Sequence, residues 1–179
     1  YAKRIDEAGA DALELNLYEV AMDPDETGAQ VEDRLLAIVG AVRKTVKIPL
    51  AVKLSPYFTS FSNLAKRIEA AGANGLVVFN RFFQPDVDIE NQEVRRTYPS
   101  HRSEILLRLH WLAVLSAQRK LSLAATGGVH SAQDVVKCIM AGAKVACMTS
   151  ALLRNGAQHA GRVVTALNNW LDEHEYASV

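Results

Sequence analysis

Three times in this 179-residue chain an amphipathic run closes on Ala-Gly-Ala and a short apolar run follows. Ala8-Gly9-Ala10 precedes Leu13-Glu14-Leu15-Asn16, Ala71-Gly72-Ala73 precedes Leu76-Val77-Val78-Phe79-Asn80, and Ala141-Gly142-Ala143 precedes Val145-Ala146-Cys147-Met148. Glycine supplies the left-handed residue that stops a helix, and each apolar run has the length of a buried strand. Helix, glycine stop and strand in repetition mark stacked βα units around a parallel sheet. Two more strands are expected, at Leu50–Leu54 after the Ile48-Pro49 break and at Leu121–Ala125.

The helices between them follow from period. Val31, Leu35, Ile38, Val39 and Val42 share one face, as do Leu64, Ile68 and Ala71. Ile105 to Leu115 carries an apolar stripe with Trp111; Val135, Val136, Ile139 and Met140 form another, and Val163, Val164, Leu167, Trp170 and Leu171 a last one. Arg81 to Ser103 has no clean period and is expected as a long loop over the strand ends.

Five units do not close a β/α barrel, which takes eight strands and ~250 residues. The fold class is therefore α/β, either an open sheet or the C-terminal five βα units of a TIM (β/α)8 barrel. Asn16, Lys53, Asn80, Thr126-Gly127-Gly128 and Thr149-Ser150 all fall at or just past the C-terminal end of a strand. A barrel gathers such ends into one ring around one ligand, whereas an open sheet spreads them along a line. That favours the barrel, as one partial domain over residues 1–179. An incomplete barrel leaves strand edges open and calls for a partner, a homodimer being one option.

Lys+Arg and Asp+Glu balance at 20 each, which argues against a nucleic-acid or anionic-membrane surface. No apolar run approaches the ~20 residues of a membrane span, and no basic-then-apolar leader opens at Tyr1. Cys138 and Cys147 sit in apolar patterns and read as reduced, buried residues. A soluble, cytoplasmic protein acting on a small molecule is expected.

The chemistry concentrates at Ala124-Ala125-Thr126-Gly127-Gly128-Val129-His130-Ser131 and at Met148-Thr149-Ser150-Ala151. In each, a strand ends, small residues turn the chain, and a helix begins, with Ser131 placed to cap the helix from Ala132. Alone, Gly-Gly is a tight turn and Thr-Ser a cap. Paired at neighbouring strand ends, their backbone N–H groups make a site for a phosphate dianion. Lys53 ends an apolar strand, where a cation either snorkels to water or meets an anion. Asn16 and Asn80 end two others as turn residues or as amides suited to a planar heterocycle with alternating donors and acceptors. Ser100 and His101 open the helix after the long loop, with Ser100 as cap or phosphate contact. His130 reads as a surface residue at a helix start, His110 and Trp111 as helix packing, and Arg95-Arg96 as solvated charge. There is no metal-ligand spacing, nucleophile elbow or dinucleotide G-x-G-x-x-G.

Leu13-Glu14-Leu15-Asn16-Leu17, Ile48-Pro49-Leu50-Ala51-Val52-Lys53-Leu54-Ser55-Pro56-Tyr57-Phe58, Phe79-Asn80-Arg81-Phe82-Phe83-Gln84-Pro85-Asp86, Ala125-Thr126-Gly127-Gly128 and Thr149-Ser150-Ala151-Leu152 resemble, in order, the dihydroorotate dehydrogenase family, in its soluble branch. The resemblance covers nearly the whole chain, as the fourth to eighth strands of that family's FMN-binding barrel. It implies oxidation of dihydroorotate to orotate in pyrimidine biosynthesis, or of a related dihydro-heterocycle, by hydride transfer to flavin. It also implies that Lys53 stands beside the flavin ring and that Asn16 and Asn80 hold flavin and substrate. Gly127, Gly128, Thr149 and Ser150 would cradle the FMN phosphate, with Ser100 as a further phosphate-side contact. Thr149, glycine in many relatives, would act through its backbone N–H. One departure concerns the base that removes the C5 proton: Glu19 stands where the family usually has cysteine, which leaves Glu19 or Tyr18 for that role. A second is Arg81, a bulky cation where the family has a small hydroxyl residue. Two other readings use the same residues: a flavin-free barrel holding a phosphorylated metabolite, with Lys53 as a Schiff base, and an inactive barrel fragment.

Overall fold

Each Ala-Gly-Ala phrase ends its helix as the glycine requires. Gly9, Gly72 and Gly142 take φ of +85°, +101° and +104°. The amide after each closes a six-residue loop onto the helix, Ala10 to Ile5 O, Ala73 to Ile68 O and Ala143 to Cys138 O. The computed structural model describes residues 1–81, 84–96 and 99–178. In chain order these form α1 (Ala2–Glu7), β1 (Leu13–Asn16), α2 (Gly28–Thr45), β2 (Leu50–Leu54), α3 (Phe61–Ala70) and β3 (Gly75–Val78). Then come β4 (Pro85–Asp88), β5 (Glu93–Arg96), a 3-10 turn (Arg102–Glu104), α4 (Ile105–Ser116) and β6 (Ser122–Thr126). The chain continues as α5 (Ala132–Met140), β7 (Val145–Cys147), α6 (Ser150–Asn155) and α7 (His159–Glu173).

Five strands make one sheet in the order β1-β2-β3-β6-β7, every pair parallel. The order follows the chain and never reverses, so there is no switch point of the doubly wound kind. This is the arc of a singly wound β/α barrel, with all C-terminal strand ends on one rim.

Register divides the sheet into two unlike faces, because residues paired across parallel strands point the same way. Leu50, Val52, Leu54, Leu76, Val78, Leu123 and Ala125 lie on the helix side and are buried. Under them pack Leu35 and Val39 of α2, Leu64 and Ile68 of α3, and Leu112 and Leu115 of α4. Phe61 anchors this layer, edge-on to Phe79 and Trp111 with ring centroids 5.0 Å away in each case. Each such fully buried side chain contributes about 1.5–3 kcal/mol. The concave face carries Glu14, Asn16, Ala51, Lys53, Val77, Thr126 and Cys147 instead. That face is small or polar and belongs to the site.

Four expectations need correction. The stretch 81–103 is not a plain loop: β4 and β5 form an antiparallel hairpin with Val87 opposite Val94, both exposed. Ile38, Met140 and Val164, placed on apolar faces by period, are 40%, 74% and 56% exposed. Arg95 is not merely solvated but pairs with Asp88 across the hairpin. Ser100 does not cap the turn after the hairpin; His101 does, its ring accepting from Ser103 N while Glu104 accepts from His101 N. The cap expected of Ser131 is present, its hydroxyl accepting from Asp134 N. Phe82 and Phe83 lie outside the described residues. Among the described residues no helix is long and apolar enough to cross a membrane.

Candidate functional site

Six of the residues singled out from sequence, Lys53, Ser100, Gly127, Gly128, Thr149 and Ser150, line one cavity of about 230 Å³ on the strand-end rim. Phe79, Arg81 and Cys147 line it too. Two others, Asn16 and Asn80, meet beside it: Asn80 Nδ2 donates to Asn16 Oδ1 at 2.7 Å, and Asn16 is the register partner of Lys53. Asn80 is buried and faces an adjoining cavity of about 220 Å³ with Tyr57, Gln84, Ser103, Glu104 and Arg108. Arg81 is common to both cavities.

Lys53 is placed by alternation. Leu50, Val52 and Leu54 of β2 point to the helices, so Ala51 and Lys53 point to the concave side. Its Nζ lies 3.3 Å from Glu14 Oε1, with side-chain exposures of 24% and 45%. Glu14 carries no motif, yet its two-residue spacing from Asn16 in Leu13-Glu14-Leu15-Asn16 already puts both on one face. Cys147 also belongs here, although its apolar setting in the sequence reads as core. Burial pushes its thiol up, Glu14 pushes it further and Lys53 opposes them, so residues of β1, β2 and β7 act on one another. Burial likewise raises the Cys138 thiol, to about 11, inside α5.

The Gly127-Gly128 turn has a reason beyond any ligand. Gly127 and Gly128 take φ of +96° and +81°. A Cβ on Gly127 would lie 2.7 Å from an Arg108 guanidinium nitrogen, and one on Gly128 only 2.3 Å from Ile105 N. The turn thus seats the start of α4, and Arg108 locks it by donating from Nε to Thr126 O at 3.0 Å and from a terminal nitrogen to Glu104 O at 2.8 Å. Burial lowers the Arg108 pKa, against the opposing pull of Glu104 and Tyr57 and helped by the like charge of Arg81.

Ser100 ties the two halves of the rim together. Its backbone N–H donates to Ser150 Oγ at 2.9 Å, and its hydroxyl lies 3.5 Å from Gly128 N and 3.4 Å from His130 Nε2. Hence Ser100 is a wall of the cavity rather than a helix cap. His130 is half-buried rather than a surface residue; burial lowers its pKa, with Arg154 acting the same way and Asp134 opposing. Its backbone N–H donates to Asp134 Oδ2 at 3.1 Å. Burial works to raise Asp134, but bonds from Arg102, Ser131 and the His130 amide outweigh it and hold the carboxyl below its ordinary value. Thr149, at the start of α6, makes no side-chain cap bond.

The donor set fits a phosphate-bearing, anionic group. Lys53 and Arg81 supply cations, Ser100 and Ser150 hydroxyls, and the first turn of α6 the backbone amides that begin a helix. Among the described residues no carboxylate lines that cavity. Glu19 is placed elsewhere. It shares Arg34 with Glu26 and lines a third cavity, of about 240 Å³, with Leu17, Ser55, Tyr57 and Phe58. Its carboxylate is therefore engaged by a guanidinium.

Comparison with known proteins identifies relatives of this arrangement. The family model described as dihydroorotate dehydrogenase matches residues 1–171. The catalytic subunit of dihydroorotate dehydrogenase B (NAD(+)) from Thermoplasma acidophilum is 24% identical over 99% of this chain and 60% of its own length. Dihydroorotate dehydrogenase A (fumarate) from Limosilactobacillus reuteri is 31% identical over 76% of this chain and 46% of its own. Among solved structures, a ligand-free dihydroorotate dehydrogenase from Eimeria tenella superposes with a TM-score of 0.73 at 21% identity, over 97% of this chain and 55% of that one. The chain thus spans 60% or less of the length of these relatives.

Proposed function

Since the chain belongs to the dihydroorotate dehydrogenase family of oxidoreductases, we propose that its rim cavity holds FMN and that the protein it represents oxidises dihydroorotate to orotate. The observation that carries this reading is the meeting of Lys53, Ser100, Gly127, Gly128, Thr149 and Ser150 on one cavity that no carboxylate lines among the described residues, beside the Asn16–Asn80 pair. Bound there, the flavin supplies a two-electron acceptor for the hydride lost by the substrate.

The residues have distinct tasks. Ser100, Ser150 and the amides at the start of α6 hold the phosphate, and Lys53 offers positive charge to the reducible ring. Asn16 and Asn80, already fixed to each other, present amides to the cofactor and to the pyrimidine ring. Buried Asn80 has little rotameric freedom, so its orientation is set before the ligand arrives. For Glu19 to take the substrate proton, its carboxylate must first part from Arg34. The free thiols of Cys138 and Cys147 suit a reducing compartment, and the reading places the protein in the cytoplasm of its cell, binding a small molecule.

The test is spectroscopic. With FMN added, the protein is expected to retain a yellow flavin spectrum through gel filtration, and dihydroorotate is expected to bleach it without oxygen. A protein that emerges colourless ends the cofactor reading. One that holds FMN but is not bleached ends the substrate reading alone.

A further inference from the structure

The wall between the two cavities is Arg81, and its electrostatic position is unusual. Its described ion-pair partner is Glu104, at 3.6 Å from Nε to Oε1. That same carboxylate faces Arg108 at 3.8 Å through its other oxygen, and its Oε1 already accepts from His101 N at 2.9 Å. One carboxylate therefore serves two guanidinium groups and a backbone amide. Arg108 is otherwise committed, its donors going to Thr126 O and Glu104 O in a buried position. Among the described residues Arg81 has no such commitment beyond Glu104. Its side chain is 35% exposed and lines the cavity together with Asn80, Gln84 and Ser103. Among the described residues lining that cavity, Arg81 and Arg108 give two positive charges and Glu104 one negative. The excess is one positive charge in a concave, partly desolvated space.

Such an excess favours an anion, and the shape of the donor narrows which one. A guanidinium presents a planar fork that matches a carboxylate two bonds at a time. The neutral amide of Asn80 beside it suits the ring edge to which that carboxylate is attached. We infer that Arg81 is a specificity-determining residue that binds the ring carboxylate of the substrate, exchanging its long contact with Glu104 for a direct pair. This rests on the reading of the site as one that oxidises dihydroorotate and deepens it: the cavity selects heterocycles bearing a carboxylate over the same ring without one.

The experiment compares two probes on the protein loaded with FMN, by calorimetry: orotate, and uracil, which lacks the carboxylate. The ratio of the two affinities is read, so that general loosening of the site affects both probes alike. The unaltered protein is expected to prefer orotate. Arg81→Gln is expected to reduce that preference by about 10- to 100-fold, the range of a lost charged hydrogen bond. Arg81→Lys, which keeps the charge and loses the fork, should fall between. Glu104→Gln should move the ratio the other way, since Arg81 is then released while the acceptor for His101 N is kept. A preference for orotate that survives Arg81→Gln unchanged overturns the assignment and leaves the proposed activity standing. So does a variant whose affinity for FMN falls while the ratio holds, which would give Arg81 to the flavin phosphate. Failure of the FMN-loaded protein to bind either probe overturns the substrate reading itself, and the role of Arg81 with it.

Discussion

Replacing Gly128 with alanine is expected to cost about 2–5 kcal/mol of folding stability. The left-handed φ of +81° alone costs a residue with a Cβ about 1–2 kcal/mol. The rest comes from overlap: the added carbon would sit 2.3 Å from Ile105 N and 2.9 Å from Ile105 Cα, and both belong to backbone. A flexible side chain could move aside, but the start of α4 cannot without releasing Arg108 from Thr126 O. Gly9→Ala is the control, because it shares the positive φ and has nothing within 4 Å of the added carbon. Thermal unfolding checks the pair: Gly9→Ala should lower Tm by a few degrees and Gly128→Ala by roughly 5–15 °C. Equal losses would show that the turn has room and that its glycines serve a ligand alone.

Lys53→Met should behave in the opposite way, with little loss of stability and a large loss of rate. The ion pair with Glu14 is half open to water, and pairs of that kind contribute about 0–1 kcal/mol. In the proposed site, however, Lys53 is the cation set by β2 against the ring that accepts electrons. Removing one preorganised charge-stabilising group costs about 10²–10³ in rate. Stopped-flow reduction of the bound flavin by dihydroorotate should slow by that factor, with Tm shifted by no more than a few degrees. Loss of stability without a specific loss of rate would make Lys53 a structural partner of Glu14 only.

The contrast between these residues shows what the sequence could and could not convey. Lys53, Asn16 and Asn80 were legible because an apolar run that ends in a polar residue places that residue at a strand end, and a parallel sheet gathers strand ends. The three glycine stops were legible because a left-handed residue after a helix is a local requirement. Gly127-Gly128 was legible as a turn, but its crowding against α4 depends on a helix that begins more than twenty residues earlier in the chain. A hydroxyl suits a cap, which is what the sequence suggests for Ser100. Its amide is instead taken by Ser150, 50 residues away, and no local rule reaches that far. The hairpin leaves no mark in the apolar pattern because Val87 and Val94 bury nothing. Met140 and Val164 fit an apolar period equally well whether their face is covered or bare, and period cannot tell the two apart. Glu14 was hidden for another reason: its meaning comes from Lys53 on the next strand.

The proposed function requires the loops on a single rim of the barrel arc to enclose one flavin. A crystal structure of the protein grown with FMN tests it most directly. The account predicts the phosphate against Ser100, Ser150 and the Gly127-Gly128 turn, with the ring beside Lys53 and the Asn16–Asn80 pair. FMN bound away from Lys53, or a phosphate site with the ring directed out of the rim, would contradict it.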